Sequence, residues 1–134
     1  MDRGTCIHMK FEVKYGLPFT EVVLLHHGVE KRVSNVLIDT GSAATLLSAE
    51  IALELGLEPE PEDVIRAMHG IGGAEYVYEK IIDRLVLHEA AVNQFNVQVG
   101  AMDYGLDING IIGMDFLLSV GLIIDLRNRE IFAG

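Results

Sequence analysis

The sequence predicts a mostly β protein, a small closed antiparallel barrel with one or two short helices. Short apolar segments of strand length recur along the 134 residues, and turn residues separate them. Helix signals occur at only two places. Hydrophobic residues make up 50% of the chain, which is enough to form a core in a single domain.

The first third of the chain reads as strands joined by tight turns. The predicted strands cover residues 9–14, 21–25 and 33–38. A turn at Gly16-Leu17-Pro18 separates the first two strands, and a polar turn at His26-His27-Gly28 separates the second from the third. The third strand leads directly into an aspartate.

A helix and an acidic segment follow. Ser48 is a suitable N-cap for a helix over residues 49–55, and Gly56 is suited to end that helix. Residues 58–63 alternate Glu and Pro before an Asp, a composition typical of an extended linker.

The second half of the chain again favours strands, with one more short helix over residues 114–119. The predicted strands are residues 64–69, 75–79, 81–88, 92–99, 122–126 and 130–132. The first two flank a glycine-rich hairpin tip, and the last two form a hairpin near the end of the chain.

Asp39-Thr40-Gly41 is the most informative motif, because it puts a carboxylate where an apolar strand breaks into a glycine turn. Two further motifs follow in order. Gly70-Ile71-Gly72-Gly73 forms the hairpin tip, and Ile111-Ile112-Gly113 is an apolar pair closed by glycine. Each motif alone also fits an ordinary turn or a buried strand end.

Taken in this order, the three motifs resemble those of the retropepsin-like aspartic proteases. The resemblance covers roughly residues 11–132, so that residues 1–134 are expected to form one retropepsin-like domain. It implies that Asp39, Thr40 and Gly41 form the catalytic motif. It also implies the acid protease type of barrel and no cofactor.

The resemblance also assigns supporting residues. Gly70, Ile71, Gly72 and Gly73 would form a flap that closes over substrate, and Ser42 and Ala43 would line the binding site. Ile111, Ile112 and Gly113 would lie behind the catalytic loop. Ser42 is expected to donate a hydrogen bond to Asp39, and Thr40 to bond across a twofold axis. Asp115 reads as a loop or helix-cap residue.

Peptide hydrolysis by aspartates needs two carboxylates that share one proton. The chain contains a single Asp-Thr-Gly, so the second carboxylate must come from another chain. We therefore expect a homodimer that acts on a polypeptide substrate. Two alternatives remain open: a catalytically inactive binding or dimerisation module with this fold, and a domain of a longer protein whose flanking segments choose the substrate.

Composition excludes several other classes. The formal net charge of −10 disfavours nucleic acid as a partner. There is no apolar run long enough for a membrane span and no leader-like apolar region at the start. The single Cys6 has no partner for an internal disulfide, which favours the cytoplasm. The histidines show no metal-ligand spacing, so no metal is expected.

Overall fold

The computed structural model describes residues 7–70, 73–102 and 105–133. Strands dominate, as predicted. In chain order the elements are β1 (Met9–Lys10), β2 (Glu12–Lys14), β3 (Leu17–His26), β4 (Val29–Ile38), β5 (Leu46–Ser48), α1 (Ala49–Glu54), β6 (Ile65–Gly70), β7 (Gly73–Leu87), β8 (Ala90–Gly100), β9 (Gly110–Ile112), α2 (Met114–Val120), β10 (Leu122–Asp125) and β11 (Glu130–Ala133).

The strands form two sheets. The larger sheet has eight strands in the order β2-β3-β4-β9-β5-β8-β7-β6, and the smaller has the order β1-β11-β10. An additional pairing joins β3 to β7, so that β3, β4, β9, β5, β8 and β7 make a continuous ring of hydrogen-bonded strands. Most pairs are antiparallel, as predicted, but β4–β9 and β5–β8 are parallel.

Two hydrophobic clusters fill the interior. The main cluster contains fully buried side chains such as Ile82, Phe116 and Ile131, and Phe95 packs edge-to-face on Phe116 at 5.7 Å between ring centroids. A second cluster consists of Phe19, Leu37, Leu46, Val77, Met102, Ile108 and Ile111. It lies against the strands that carry the Asp-Thr-Gly loop, because Leu37, Leu46 and Ile111 belong to β4, β5 and β9.

The turn between β2 and β3 is shorter than predicted. Lys14 pairs with Leu17, which leaves Tyr15 and Gly16 as a two-residue turn with φ of 55° and 73°. Such a turn needs two left-handed residues, and proline is locked at negative φ. Pro18 therefore lies in β3 rather than in the turn.

The predicted helix at Ser48 is confirmed. Ser48 has extended backbone angles and its side chain accepts a hydrogen bond from the Ile51 amide at 3.3 Å. Gly56 follows the helix with φ of 80°, a conformation that glycine adopts without strain.

The acidic segment after α1 is held to the sheet rather than extended as a linker. The Lys80 ammonium lies 2.9 Å from the Glu60 carboxylate and 3.0 Å from that of Asp63. Lys80 lies in the middle of β7, where the sequence had suggested a break between two strands. Because two carboxylates neutralise its charge, this largely buried lysine is accommodated and β7 continues unbroken.

Candidate active site

Asp39 lies immediately beyond the end of β4. In the parallel pair β4–β9, Ile38 is opposite Ile112, and the Asp39 amide donates a hydrogen bond to the Ile112 carbonyl at 2.9 Å. Both isoleucines are buried, whereas Asp39 is half-buried. The paired strands thus present a carboxylate at the edge of a rigid apolar layer, as the sequence predicted.

The loop after Asp39 turns back on the carboxylate. The Gly41 amide donates to Asp39 Oδ1 at 2.9 Å, and the Ser42 amide donates to the Asp39 carbonyl at 3.1 Å. A Cβ at position 41 would lie 3.1 Å from Asp39 Oδ1. Glycine therefore lets the backbone approach the carboxylate closely enough to orient it.

The expected bond from Ser42 to Asp39 is wrong for this chain. The Ser42 hydroxyl donates instead to the Ala44 carbonyl at 2.8 Å. Within the turn, this backbone oxygen lies two residues away, which makes it a local acceptor for a serine side chain. Ser42 is half-buried and stabilises the shape of the loop, while Thr40 and Ala43 are exposed on it.

Ile111, Ile112 and Gly113 lie behind the loop, where the sequence placed them. Ile111 packs in the second cluster and Ile112 in the main cluster, so β9 joins the two. Gly113 is in close contact with the loop. A Cβ added there would lie 2.3 Å from the Ala44 carbonyl oxygen, a distance that no side chain tolerates.

A second attachment of the loop was not predicted. The Asp115 carboxylate, in the first turn of α2, accepts the Thr45 hydroxyl at 2.7 Å and the Thr45 amide at 3.1 Å. The Thr45 hydroxyl also accepts the buried Gly113 amide at 3.1 Å. Asp115 was expected to be a loop or helix-cap residue. The N-cap of α2 is Gly113, and Asp115 lies within the first turn, where it accepts the Phe116 amide at 2.7 Å. The sequence signals the Thr45–Asp115 pair only by a threonine shortly after Asp-Thr-Gly and an aspartate shortly after Gly113.

Strands β6 and β7 form the predicted glycine-rich hairpin. Gly70 pairs with Gly73, whereas Ile71 and Gly72, at the predicted flap tip, lie outside the described residues. Arg66 on β6 donates to the carboxylate of Glu79 on β7, and this hydrogen bond holds the pKa of the Glu79 carboxyl below its usual value.

The base of this hairpin lies close to the strands that lead to Asp39. Val77 of β7 is buried in the second cluster with Leu37 and Ile111. The hairpin and the Asp39 loop therefore share one small core.

The sequence profile of the family described as "Aspartyl protease" matches residues 25–116, more than half of the chain. The chain belongs to the aspartyl protease family. The match includes the Asp-Thr-Gly loop, the glycine-rich hairpin and β9. No curated protein sequence matches the chain.

The fold of this aspartyl protease family member is also found in a solved structure. The crystal structure of a retropepsin-like aspartic protease from Rickettsia conorii superposes with a TM-score of 0.68 at 20% sequence identity. The match covers 95% of this chain and 90% of the other. The predicted retropepsin-like fold class is thereby confirmed. Within the part of the chain that the structure describes, no helix is both long and apolar enough to cross a membrane.

Proposed function

We propose that this member of the aspartyl protease family is an aspartic endopeptidase that works as a homodimer. Each subunit would supply one Asp39, and the two carboxylates would share a proton across a twofold axis. The observation that carries the proposal is the position of Asp39, the aspartate of the single Asp-Thr-Gly. It is half-buried at a strand end, where its amide donates to the Ile112 carbonyl and its carboxylate accepts the Gly41 amide.

The chemistry follows from two carboxylates in unequal protonation states. The ionised carboxylate removes a proton from water, and the protonated one donates to the carbonyl oxygen of the substrate. The water then attacks the carbonyl carbon, and the proton taken from it passes to the departing nitrogen. Neither step needs a cofactor. The proton belongs to the pair rather than to either residue.

The remaining predicted residues surround this centre in the proposal. Thr40 and Ala43 are exposed beside Asp39, and Ser42 is half-buried. Thr40 would reach the partner subunit, and Ser42 and Ala43 would line the substrate side of the loop. Residues Gly70 to Gly73 would close over an extended peptide, which their hairpin strands can bind by backbone hydrogen bonds. We place these functions in one domain with its core at residues 11–132. The single cysteine suits a cytoplasmic location.

The proposal is tested with the substitution Asp39→Asn, which keeps the size of the side chain and removes its charge. Cleavage of an unfolded polypeptide is measured between about pH 4 and 7, where a shared-proton pair works. We expect turnover to fall at least about 100-fold, because the substitution removes both carboxylates of the acid–base pair, one from each subunit. Asp107→Asn, which removes an exposed carboxylate from the segment before β9, is the control and should retain activity.

Mixing the subunits distinguishes a shared site from two separate sites. A tenfold excess of Asp39→Asn protein should reduce the activity of the wild type to about a tenth, because most wild-type chains then sit in mixed dimers. Activity that is unaffected by the excess contradicts the shared site. A folded wild-type dimer that cleaves nothing across this pH range leaves the inactive binding module as the function.

A further inference from the structure

Three side chains of metal-ligating type meet at the turn between β3 and β4. His26 ends β3, His27 begins the turn, and Asp83 comes from the neighbouring strand β7. One ligand atom from each lies within 4.8 Å of the other two. The sequence shows no metal-ligand spacing because Asp83 is brought in by the sheet. Leu25 pairs with Arg84 at the end of the β3–β7 ladder, and His26 and Asp83 are the residues next to that pair.

The cluster is remote from the Asp39 loop. It lies at the start of β4, whereas Asp39 follows the end of that strand. Ten residues of strand separate the two ends, a contour of at most about 33 Å at 3.3 Å per residue, which the irregularity at Asn35 shortens. Any ligand bound at the cluster is therefore independent of the proposed catalytic centre.

The His26 imidazole has an unsatisfied ring nitrogen. His26 is only 8% exposed, and within the described residues its Nδ1 has no hydrogen-bond partner. Asp83 Oδ1 lies 3.7 Å away, too far for a hydrogen bond. A buried nitrogen without a hydrogen-bond partner destabilises the fold. An atom or ion bound between Nδ1 and Oδ1 would remove this cost.

The gap has the dimensions of a metal site. Ligands about 2.0–2.2 Å from a tetrahedral zinc ion are about 3.4 Å apart, close to the observed separation of Nδ1 and Oδ1. The other carboxylate oxygen, Asp83 Oδ2, accepts the His27 amide at 2.8 Å. This bond fixes the carboxylate and leaves Oδ1 directed at the gap, as supporting bonds do in metal sites.

The His27 side chain can complete the set. Its ring stacks on that of His26, with centroids 3.9 Å apart and planes 20° from parallel. Two stacked rings cannot both point at one ion, so the His27 ring must tilt. His27 is exposed and can do so without disturbing the core. The nearby Lys80 does not oppose a cation strongly, since Glu60 and Asp63 neutralise it.

We propose that His26, His27 and Asp83 bind a divalent transition metal of the zinc class, with a fourth position open to water. Two imidazoles and one carboxylate are a donor set that zinc, nickel and copper accept. The bound ion would crosslink the β3–β4 turn and strand β7. The net charge of −10 also favours cation binding.

The test is a titration of the metal-free protein with Zn²⁺ at pH 7, followed by calorimetry, with Co²⁺ as a spectroscopic probe of tetrahedral geometry. Both are done in the Asp39→Asn background, which removes the catalytic carboxylate as a competing ligand. We expect one ion per chain, an intense visible Co²⁺ band, and a thermal midpoint raised by several degrees at saturating Zn²⁺.

Two substitutions test the ligands and a third is the matched control. His27→Ala and Asp83→Asn should each weaken Zn²⁺ binding at least about tenfold. Asn at position 83 keeps an oxygen for the His27 amide, so the turn is preserved. His88→Ala should bind Zn²⁺ as the wild type does, because His88 is also an exposed turn histidine with positive φ, 54° against 47° for His27.

The outcomes decide between an ion and a bridging water. Equal thermal midpoints of all variants in chelator show that they fold alike. Given that, loss of binding in His27→Ala and Asp83→Asn alone supports the site. No saturable Zn²⁺ binding, or equal affinity in these two variants and the wild type, overturns it.

Discussion

Among the described glycines, Gly113 has the closest backbone contacts with the Asp39 loop. A Cβ there would lie 2.3 Å from the Ala44 oxygen and 2.9 Å from the Ser42 oxygen, and both are backbone atoms that cannot rotate away. We expect Gly113→Ala to cost about 2–4 kcal/mol of unfolding free energy, since the loop or β9 must move.

Gly110→Ala is the comparison for this prediction. Its Cβ would lie 3.1 Å from the Leu46 carbonyl oxygen, a tight but less severe contact three residues earlier, at the start of β9. Urea unfolding of the two variants should rank Gly113→Ala as clearly the less stable. Similar urea midpoints for the two variants would mean that the loop moves to admit a Cβ more easily than these distances indicate.

At the residue scale, the sequence predicted what is local and missed what depends on folding. Asp39 was recognisable because it directly follows an apolar strand and directly precedes Thr40 and Gly41. The partner of the Ser42 hydroxyl was wrong, because a hydroxyl rotates among several nearby acceptors and the choice depends on the turn. Thr45 and Asp115 lie far apart in sequence, so no local pattern could have paired them.

At the scale of elements, α2 is attached through Thr45 to the loop that carries Asp39. Replacing Thr45 by Val removes the hydroxyl at nearly constant size. The buried Gly113 amide then loses its acceptor and Asp115 loses a donor. We expect a loss of about 1–3 kcal/mol of unfolding free energy, together with lower turnover, because the loop is no longer fixed.

Thr45→Ser is the control, since it keeps the hydroxyl and removes only a methyl group. Thermal unfolding and turnover per folded molecule are measured for both variants. If Thr45→Val retains full turnover while losing stability, the pair supports the fold but does not position the loop.

The predicted elements were most reliable where a turn or cap has a definite chemical signature. Ser48 and Gly56 bound α1 as expected. The predicted break between two strands at Lys80 was wrong, because a charged residue among apolar ones resembles the end of a strand. Its partners, Glu60 and Asp63, come from a different segment, so they could not be recognised locally. The three-residue strands β5 and β9 are entirely buried, so they show no alternation that a pattern could detect.

At the scale of the whole molecule, the proposed activity should depend on concentration. In the proposed dimer each site needs two chains, so activity per chain should fall on dilution. Each monomer has a formal net charge of −10, and we expect added salt to tighten the dimer by screening the repulsion. Lowering the pH toward the pI of about 4.8 should act in the same direction.

Sedimentation across a concentration series at two salt levels measures this association. An active species that remains monomeric at every concentration contradicts the shared site. A dimer that weakens with salt would show that ion pairs between the subunits outweigh the net repulsion. The single motif predicts that a second chain is needed, but no pattern in the sequence predicts the surface that would join the two chains.

The bond from the Asp39 amide to the Ile112 carbonyl has a consequence for biosynthesis. A nascent chain that has reached residue 100 already contains the aspartate and both arms of the hairpin, but it lacks β9, against which β4 and β5 align. Because domains fold as units once their distant contacts are available, we expect the aspartate loop to form only when nearly the whole domain has left the ribosome. A growing polypeptide would thus be incapable of cutting itself or its neighbours during translation.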